Sequence, residues 1–236
     1  MSLSDLFSRR RKDETGAADG GDAPVFASRA LPNFLTTLAA RPQPLLLDLG
    51  PVVGANVTFF GEELGCKIVV EDLFSDIDRH TAADKLSDLP SFFERRFAQP
   101  EGSVDAILCW DIFDYVNRPT AQTLARQLTR ILRPDGVLYA QFANSEADPA
   151  NAVTYTKYVV VDRQTLQHRP YGGPHPKQRP LANRDVQRLF EALRITDQFL
   201  MKNNFRELLF RKPAAPAPAP QAGGSDSLPI VPPGTN

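Results

Sequence analysis

LLLDLGPVVGANVTFFGEELGCKIVVED, residues 45–72, decides how the chain is read. Leu45–Leu47 form a short apolar run without alternation, the pattern of a parallel strand covered on both faces. Gly50 and Gly54 bracket the next turn, and glycine lets a backbone approach a ligand closely. From Ala55 to Leu64, residues Val57, Phe60 and Leu64 recur at spacings of three and four, so a helix burying that face is expected. Gly65 suits its C′ position. Lys67–Val70 supplies a second buried strand, ended by Glu71 and Asp72. Glu71 follows Gly50 by 21 residues, close to the offset of about 20 at which an acid meets a ribose in nucleotide-binding βαβ units. Strand, turn, helix and strand in this order predict a site for a nucleotide-type ligand.

The glycine spacing narrows the ligand. A dinucleotide fingerprint, Gly-x-Gly-x-x-Gly, can start at Gly50 but meets Val52 and Ala55 at its later positions. An NAD(P)-dependent oxidoreductase is disfavoured on that ground. Asp48-Leu49-Gly50-Pro51-Val52-Val53-Gly54 instead sets an acid two residues before the first glycine. This run resembles motif I of the class I S-adenosylmethionine (SAM)-dependent methyltransferases, with Val52 where the family usually carries its middle glycine. The resemblance implies SAM as cofactor. It implies that Asp48 organises the turn and reaches the cofactor's amino-acid end through water, while Gly50 and Gly54 let the backbone approach. Glu71, with Asp72 beside it, is then expected at the ribose hydroxyls.

Further along, Val104–Trp110 reads as a central strand, with Asp111 directly after it. Ligands of doubly wound sheets sit outside the carboxyl ends of the strands. Trp110 and Asp111 therefore fall where cofactor and substrate would meet. The run resembles the fourth motif of small-molecule methyltransferases, with Tyr115 where a histidine is common. Asp111 is thus a cofactor-site residue and the candidate catalytic carboxylate, orienting the acceptor or taking its proton; capping the following turn is its alternative task. Pro119–Leu132 predicts a helix capped by Thr120 or Asn117, with Leu124, Leu128, Ile131 and Leu132 buried. Arg133-Pro134-Asp135-Gly136 then turns into a fifth strand, Val137–Phe142, similar to the superfamily's helix-turn-strand with Asp135 in place of a glycine.

The remaining segments carry weaker patterns. Ser28–Ala40 predicts a helix with Leu31, Phe34, Leu35 and Leu38 inward, ended by Pro42 and Pro44. Leu73–Leu89 predicts a short helix, and Pro90–Phe97 a third strand with Arg95-Arg96 as a solvated basic pair. Val153–Pro170 predicts a hairpin turning at Asp162-Arg163-Gln164, which the resemblance implies is a lid over the acceptor pocket. His168 and His175 read as loop histidines or as proton acceptors, and lack a third ligand for a metal. Asn183 is expected to cap a helix burying Val186, Leu189, Phe190 and Leu193. Ile195–Leu200 and Phe205–Phe210 predict an antiparallel pair across Lys202-Asn203-Asn204.

Composition bounds the function. The chain has 236 residues, a net charge of −1 and two cysteines. That length suits one α/β domain with tails, and that charge gives no general attraction for phosphates, so nucleic acid is not an expected partner. Cys66 and Cys109 read as buried thiols. No apolar run approaches the ~18 residues of a membrane helix, no signal-peptide core opens the chain, and the cytoplasm is the expected location. Nothing in the pattern fixes an oligomeric state. The expected organisation is a disordered tail at 1–27, a methyltransferase-like domain at 28–212, and a Pro/Ala-rich disordered tail at 213–236. The domain is expected to be a three-layer, Rossmann-like α/β fold with a mostly parallel sheet of six or seven strands and a reversed C-terminal strand. The expected function is SAM-dependent methyl transfer to a small or medium acceptor; the alternative is a catalytically inactive scaffold of the same fold.

Overall fold

The structure is a computed structural model that describes residues 23–144, 154–172, 175, 177–178 and 180–214. The tails at 1–22 and 215–236 lie outside the described residues.

Strands β2 (Leu45–Asp48), β3 (Lys67–Val70) and β4 (Val104–Trp110) pair in parallel, as their unbroken apolar runs require. Strand β5 (Leu132–Ala143) extends the parallel set, and β9 (Phe205–Arg211) runs antiparallel between it and β8 (Arg194–Leu200). The order is β3-β2-β4-β5-β9-β8, six strands with β9 reversed. Alternate residues feed two cores. Ile107, Leu138 and Phe142 point to one, beneath helices α3 (Leu73–Ala82), α4 (Leu89–Arg96), α5 (Arg118–Ile131) and α6 (Asn183–Leu189). Leu108, Val137 and Tyr139 point to the other, beneath α1 (Leu31–Ala39) and the Phe59–Phe60 pair that follows α2 (Gly54–Thr58).

Three local expectations change. Pro90–Phe97 is not a strand: α4 occupies Leu89–Arg96, with Pro90 in its first turn and Leu89 and Phe93 inward at a spacing of four. Among the described residues β3 is the edge strand on that side of the sheet. After α2 the helix widens into a π-turn at Phe59–Glu63, which shifts its phase. Asn56, Phe59 and Phe60 face inward while Val57 is 42% exposed. Asn183 does not cap α6; its side chain accepts from Arg206 instead. The cap of α5 is Asn117, whose Oδ1 accepts the Thr120 N–H at 3.1 Å. Asp135 takes φ +59°, a left-handed conformation that aspartate tolerates better than most residues.

A second sheet, order β1-β7-β6, is built by the expected hairpin of β6 (Tyr155–Val160) and β7 (Thr165–Tyr171). Its outer strand β1 (Val25–Ala27) falls inside the stretch read as N-terminal tail and pairs antiparallel with β7. Tyr155 packs into the core that holds Phe74 and Tyr115, while Tyr158 packs into the one that holds Trp110. Strand β6 therefore straddles the carboxyl edge of the main sheet. Its free edge is satisfied by Asn56, which donates to the Tyr158 carbonyl at 2.8 Å and accepts the Val160 N–H at 2.8 Å.

A buried carboxylate fastens α1. Glu207 on β9, 3% exposed, accepts the N–H groups of Arg29 at 2.8 Å and Ala30 at 3.1 Å, and the Tyr139 hydroxyl at 3.0 Å. Ser28 Oγ accepts the next N–H, from Leu31, at 3.1 Å. The orphan donors of the helix start are thus met partly from another element. Glu207→Ala removes the acceptor of two backbone donors and of the Tyr139 hydroxyl and should destabilise the fold by about 2–3 kcal/mol in urea denaturation, with Glu207→Gln losing clearly less.

Candidate functional site

The carboxyl ends of β2, β3 and β4 lie side by side, so the residues that follow them share one edge of the sheet. Asp48 ends β2 and is 4% exposed. Its Oδ1 accepts the Gly50 N–H at 2.9 Å and the Trp110 indole N–H at 2.7 Å. Burial pushes the Asp48 carboxyl up to about 6, the bonds from Gly50 and Trp110 pull against that rise, and the charge of Asp72 adds to it.

Trp110 reaches Asp48 through an irregularity in β4. The pairing with β5 shifts register between Leu108 and Trp110, and Trp110 takes φ +49°, a conformation rare for a bulky side chain. The indole lies on Gly50: a Cβ at that glycine would stand 2.8 Å from Trp110 Cδ1 and 2.9 Å from Nε1. The indole also stacks on Tyr158, with centroids 5.1 Å apart and planes 5° from parallel. Around Gly54 the space is open, with no atom within 4 Å of an added Cβ. Val52 is 65% exposed and so takes no room from the inside of the turn.

Glu71 follows β3. Its Oε2 lies 2.5 Å from Arg96 Nη1, and its Oε1 accepts from Gln99 Nε2 at 3.2 Å. Arg96 also donates from Nε to the buried Asp76 at 2.9 Å. The pair Arg95-Arg96 is therefore split: Arg95 is exposed, whereas Arg96 bridges two carboxylates. Asp72 serves as the cap of α3, with its carboxylate accepting the Ser75 N–H at 3.1 Å and the Ser75 hydroxyl at 2.6 Å.

Asp111 is fully buried beneath Lys177, whose Nζ stands 2.8 Å from Asp111 Oδ2 and 3.1 Å from Asp114 Oδ2. The Tyr115 hydroxyl reaches Asp111 at 3.4 Å, and the Ala143 N–H reaches Asp114 at 2.9 Å. The ammonium also lies 4.6 Å from the Phe205 ring and 5.1 Å from that of Tyr115. Burial raises the Asp114 carboxyl to about 6, against the pull of Lys177 and with the push of Asp111. Sequence reading missed Lys177, which stands in a Gly/Pro-rich loop with no local pattern to mark it.

His168 sits on β7 with its ring 4.7 Å from Phe26 and 4.8 Å from Tyr158. Burial lowers its pKa to about 4, so the ring is neutral near pH 7. His175 stacks on Tyr155 at 3.8 Å and lies 3.3 Å from Asp78. Among the described residues no group of His, Cys, Asp and Glu is arranged to hold a metal, and no helix is long and apolar enough to cross a membrane. Cys66 and Cys109 are free, buried thiols.

Residues 22–193 match the family described as "Methyltransferase domain", and the chain belongs to that family. It is a SAM-dependent methyltransferase of class I by that membership, as motif I suggested. No curated protein sequence matches the chain. Among solved structures it is similar to the Burkholderia thailandensis 1,6-didemethyltoxoflavin-N1-methyltransferase, solved with 1,6-didemethyltoxoflavin and S-adenosylhomocysteine (15% identity, 89% of this chain and 86% of that one, TM-score 0.45). It is similar also to a SAM-dependent methyltransferase from Aquifex aeolicus (13% identity, 77% and 88%, TM-score 0.42). A third similar structure is the [4+2]-cyclase SpnF (12% identity, 90% and 94%, TM-score 0.48).

The raised Asp48 pKa has a thermodynamic sign. An acid whose pKa is higher folded than unfolded binds its proton more tightly when folded. Its contribution is most favourable below the unfolded value of 3.8 and is lost as pH rises through about 6. Asp48→Asn keeps an oxygen acceptor and removes the buried charge. Between about pH 4.5 and 8 its stability should shift by roughly 1–3 kcal/mol in its favour relative to the native chain. Urea denaturation at both pH values checks this, and a constant difference would contradict it.

Proposed function

We propose that the chain transfers the methyl group of SAM to a small or medium acceptor bound at the carboxyl end of β4, under the β6–β7 hairpin. The observation that carries this reading is the convergence of the Asp48–Gly50 turn, Glu71 and Asp111 at one edge, after three adjacent parallel strands. Open α/β sheets bind ligands at such an edge. The straddling of that edge by Tyr155 and Tyr158 supports a lid there. A net charge of −1 supports a small acceptor rather than a nucleic acid.

When bound, SAM supplies an electrophilic methyl group on a sulfonium. The protein is left to align an acceptor within ~3–3.5 Å and to take up any proton released. The ribose end fits the residues present: a carboxylate has about four lone-pair positions, and Arg96 and Gln99 use two of those on Glu71. The amino-acid end does not fit as the side chains stand, because the indole of Trp110 covers Gly50. In this reading Asp48 holds the turn, and Gly50 and Gly54 line it. Asp72 positions the start of α3 beside Glu71. Asp111 is held by Lys177 and acts as a positioning charge rather than as a free base. His168 lies beside the Trp110–Tyr158 stack as a neutral ring, and the burial that lowers its pKa to about 4 makes it a weak proton acceptor near pH 7.

Glu71 separates ligand binding from packing. Glu71→Ala should weaken SAM by roughly ten- to a hundredfold in calorimetry, as expected for lost hydrogen bonds to a charged acceptor. Asp72→Ala should cost about 1 kcal/mol of stability as a lost cap and leave affinity nearly unchanged. Failure of the native chain to bind either SAM or S-adenosylhomocysteine at millimolar concentration would contradict the proposed function.

A further inference from the structure

We propose that Trp110 gates the cofactor site: its indole occupies the backbone face of Gly50 and moves out when the cofactor binds. The inference rests on the function proposed above. It is carried by three features of one side chain.

The first is occupancy. The indole meets Gly50 so closely that even a methyl group at that position would collide with it, at 2.8 Å and 2.9 Å. A glycine lets a ligand lie against bare backbone, and here the residue lying against it comes from the chain itself. The indole also uses Asp48 Oδ1 at 2.7 Å, the polar atom that anchors the turn. The second feature is the backbone. Trp110 holds φ +49° at a register shift of β4, and sparsely populated conformations of bulky residues persist only where surrounding contacts enforce them. Return to an extended backbone swings the ring off Gly50 and breaks the bond to Asp48.

The third feature is what holds the gate shut. The parallel stack on Tyr158 ties the indole to β6, and Asn56 pins the backbone of Tyr158 and Val160 to α2. The same hairpin that covers the edge therefore clamps the ring. Opening the gate and loosening the lid are one motion. The apparent affinity for the cofactor is then lowered by the fraction of molecules with the ring displaced.

Trp110 is the chain's one tryptophan, so its emission reports on the gate. The full chain is titrated with S-adenosylhomocysteine and followed by tryptophan fluorescence and by calorimetry. Tyr158→Ala and Trp110→Ala are titrated by calorimetry in parallel. We expect the native emission to shift to longer wavelength and saturate with the calorimetric affinity. Tyr158→Ala, which leaves the Gly50 face untouched, should bind several-fold tighter, and Trp110→Ala about tenfold tighter or more. A purely structural tryptophan predicts the opposite, with less stable variants and unchanged or weaker binding. Native binding with no change in emission overturns the gate and leaves the proposed function standing. Absence of binding in the native chain and both variants overturns both. Should Trp110→Ala fail to fold, the native emission and Tyr158→Ala decide.

Discussion

The hydrogen bond from Trp110 Nε1 to Asp48 Oδ1, 2.7 Å long, joins the ends of two neighbouring parallel strands. A carboxylate buried to this degree needs donors, and among the described residues the Gly50 N–H and the indole are bonded to it. Satisfying Asp48 brings the indole down onto residue 50, which must then be glycine. The ring so placed offers a flat surface to Tyr158, which docks β6, and β6 in turn presents its free edge to Asn56. One buried acid thus decides the turn, the end of β4 and the seat of the lid.

Two further charge groups border the same edge, and each restrains a carboxylate expected to face a ligand. Arg96 draws Glu71 toward Asp76, and Lys177 draws Asp111 toward Asp114. The arrangements differ in consequence. Glu71 lies on the rim and keeps unused lone pairs. Asp111 lies beneath the ammonium and two aromatic rings, where a charge is tolerated only while its partner stays. Oδ1 of Asp111 and Oδ1 of Asp114 have no hydrogen-bonding partner among the described residues, so the cluster is held mainly by one lysine.

What could be read from the sequence follows from the range of the interactions. Leu45–Leu47, Lys67–Val70 and Val104–Trp110 are legible because burial on both faces leaves a continuous apolar run, and α1 and α5 because their stripes recur locally. Apolar spacing phases the helix after Gly54 on Val57, yet Asn56 faces inward, since a polar residue at that position completes the edge of a distant strand. PSFFERRF carries a weak strand pattern, whereas the spacing of Leu89 and Phe93 is helical. Strand β1 is three residues long and exists through its pairing with β7. Around the site, spacing marks Asp48, Gly50 and Glu71 as candidates, and they lie at the carboxyl ends of β2 and β3. Nothing local marks Arg96, Lys177 or the contacts of Trp110 and Tyr158, because their partners lie 20 to 102 residues away in the chain and no local pattern encodes such pairings.

The bond between Trp110 and Asp48 can be observed directly. A single tryptophan gives a single indole N–H resonance, and its position and solvent exchange can be followed by NMR from about pH 4.5 to 8. A donor buried at 2% exposure and bonded to Asp48 should exchange slowly and shift with a midpoint near 6, where that carboxyl ionises. An indole resonance that exchanges freely with water and does not titrate would contradict the account at its centre.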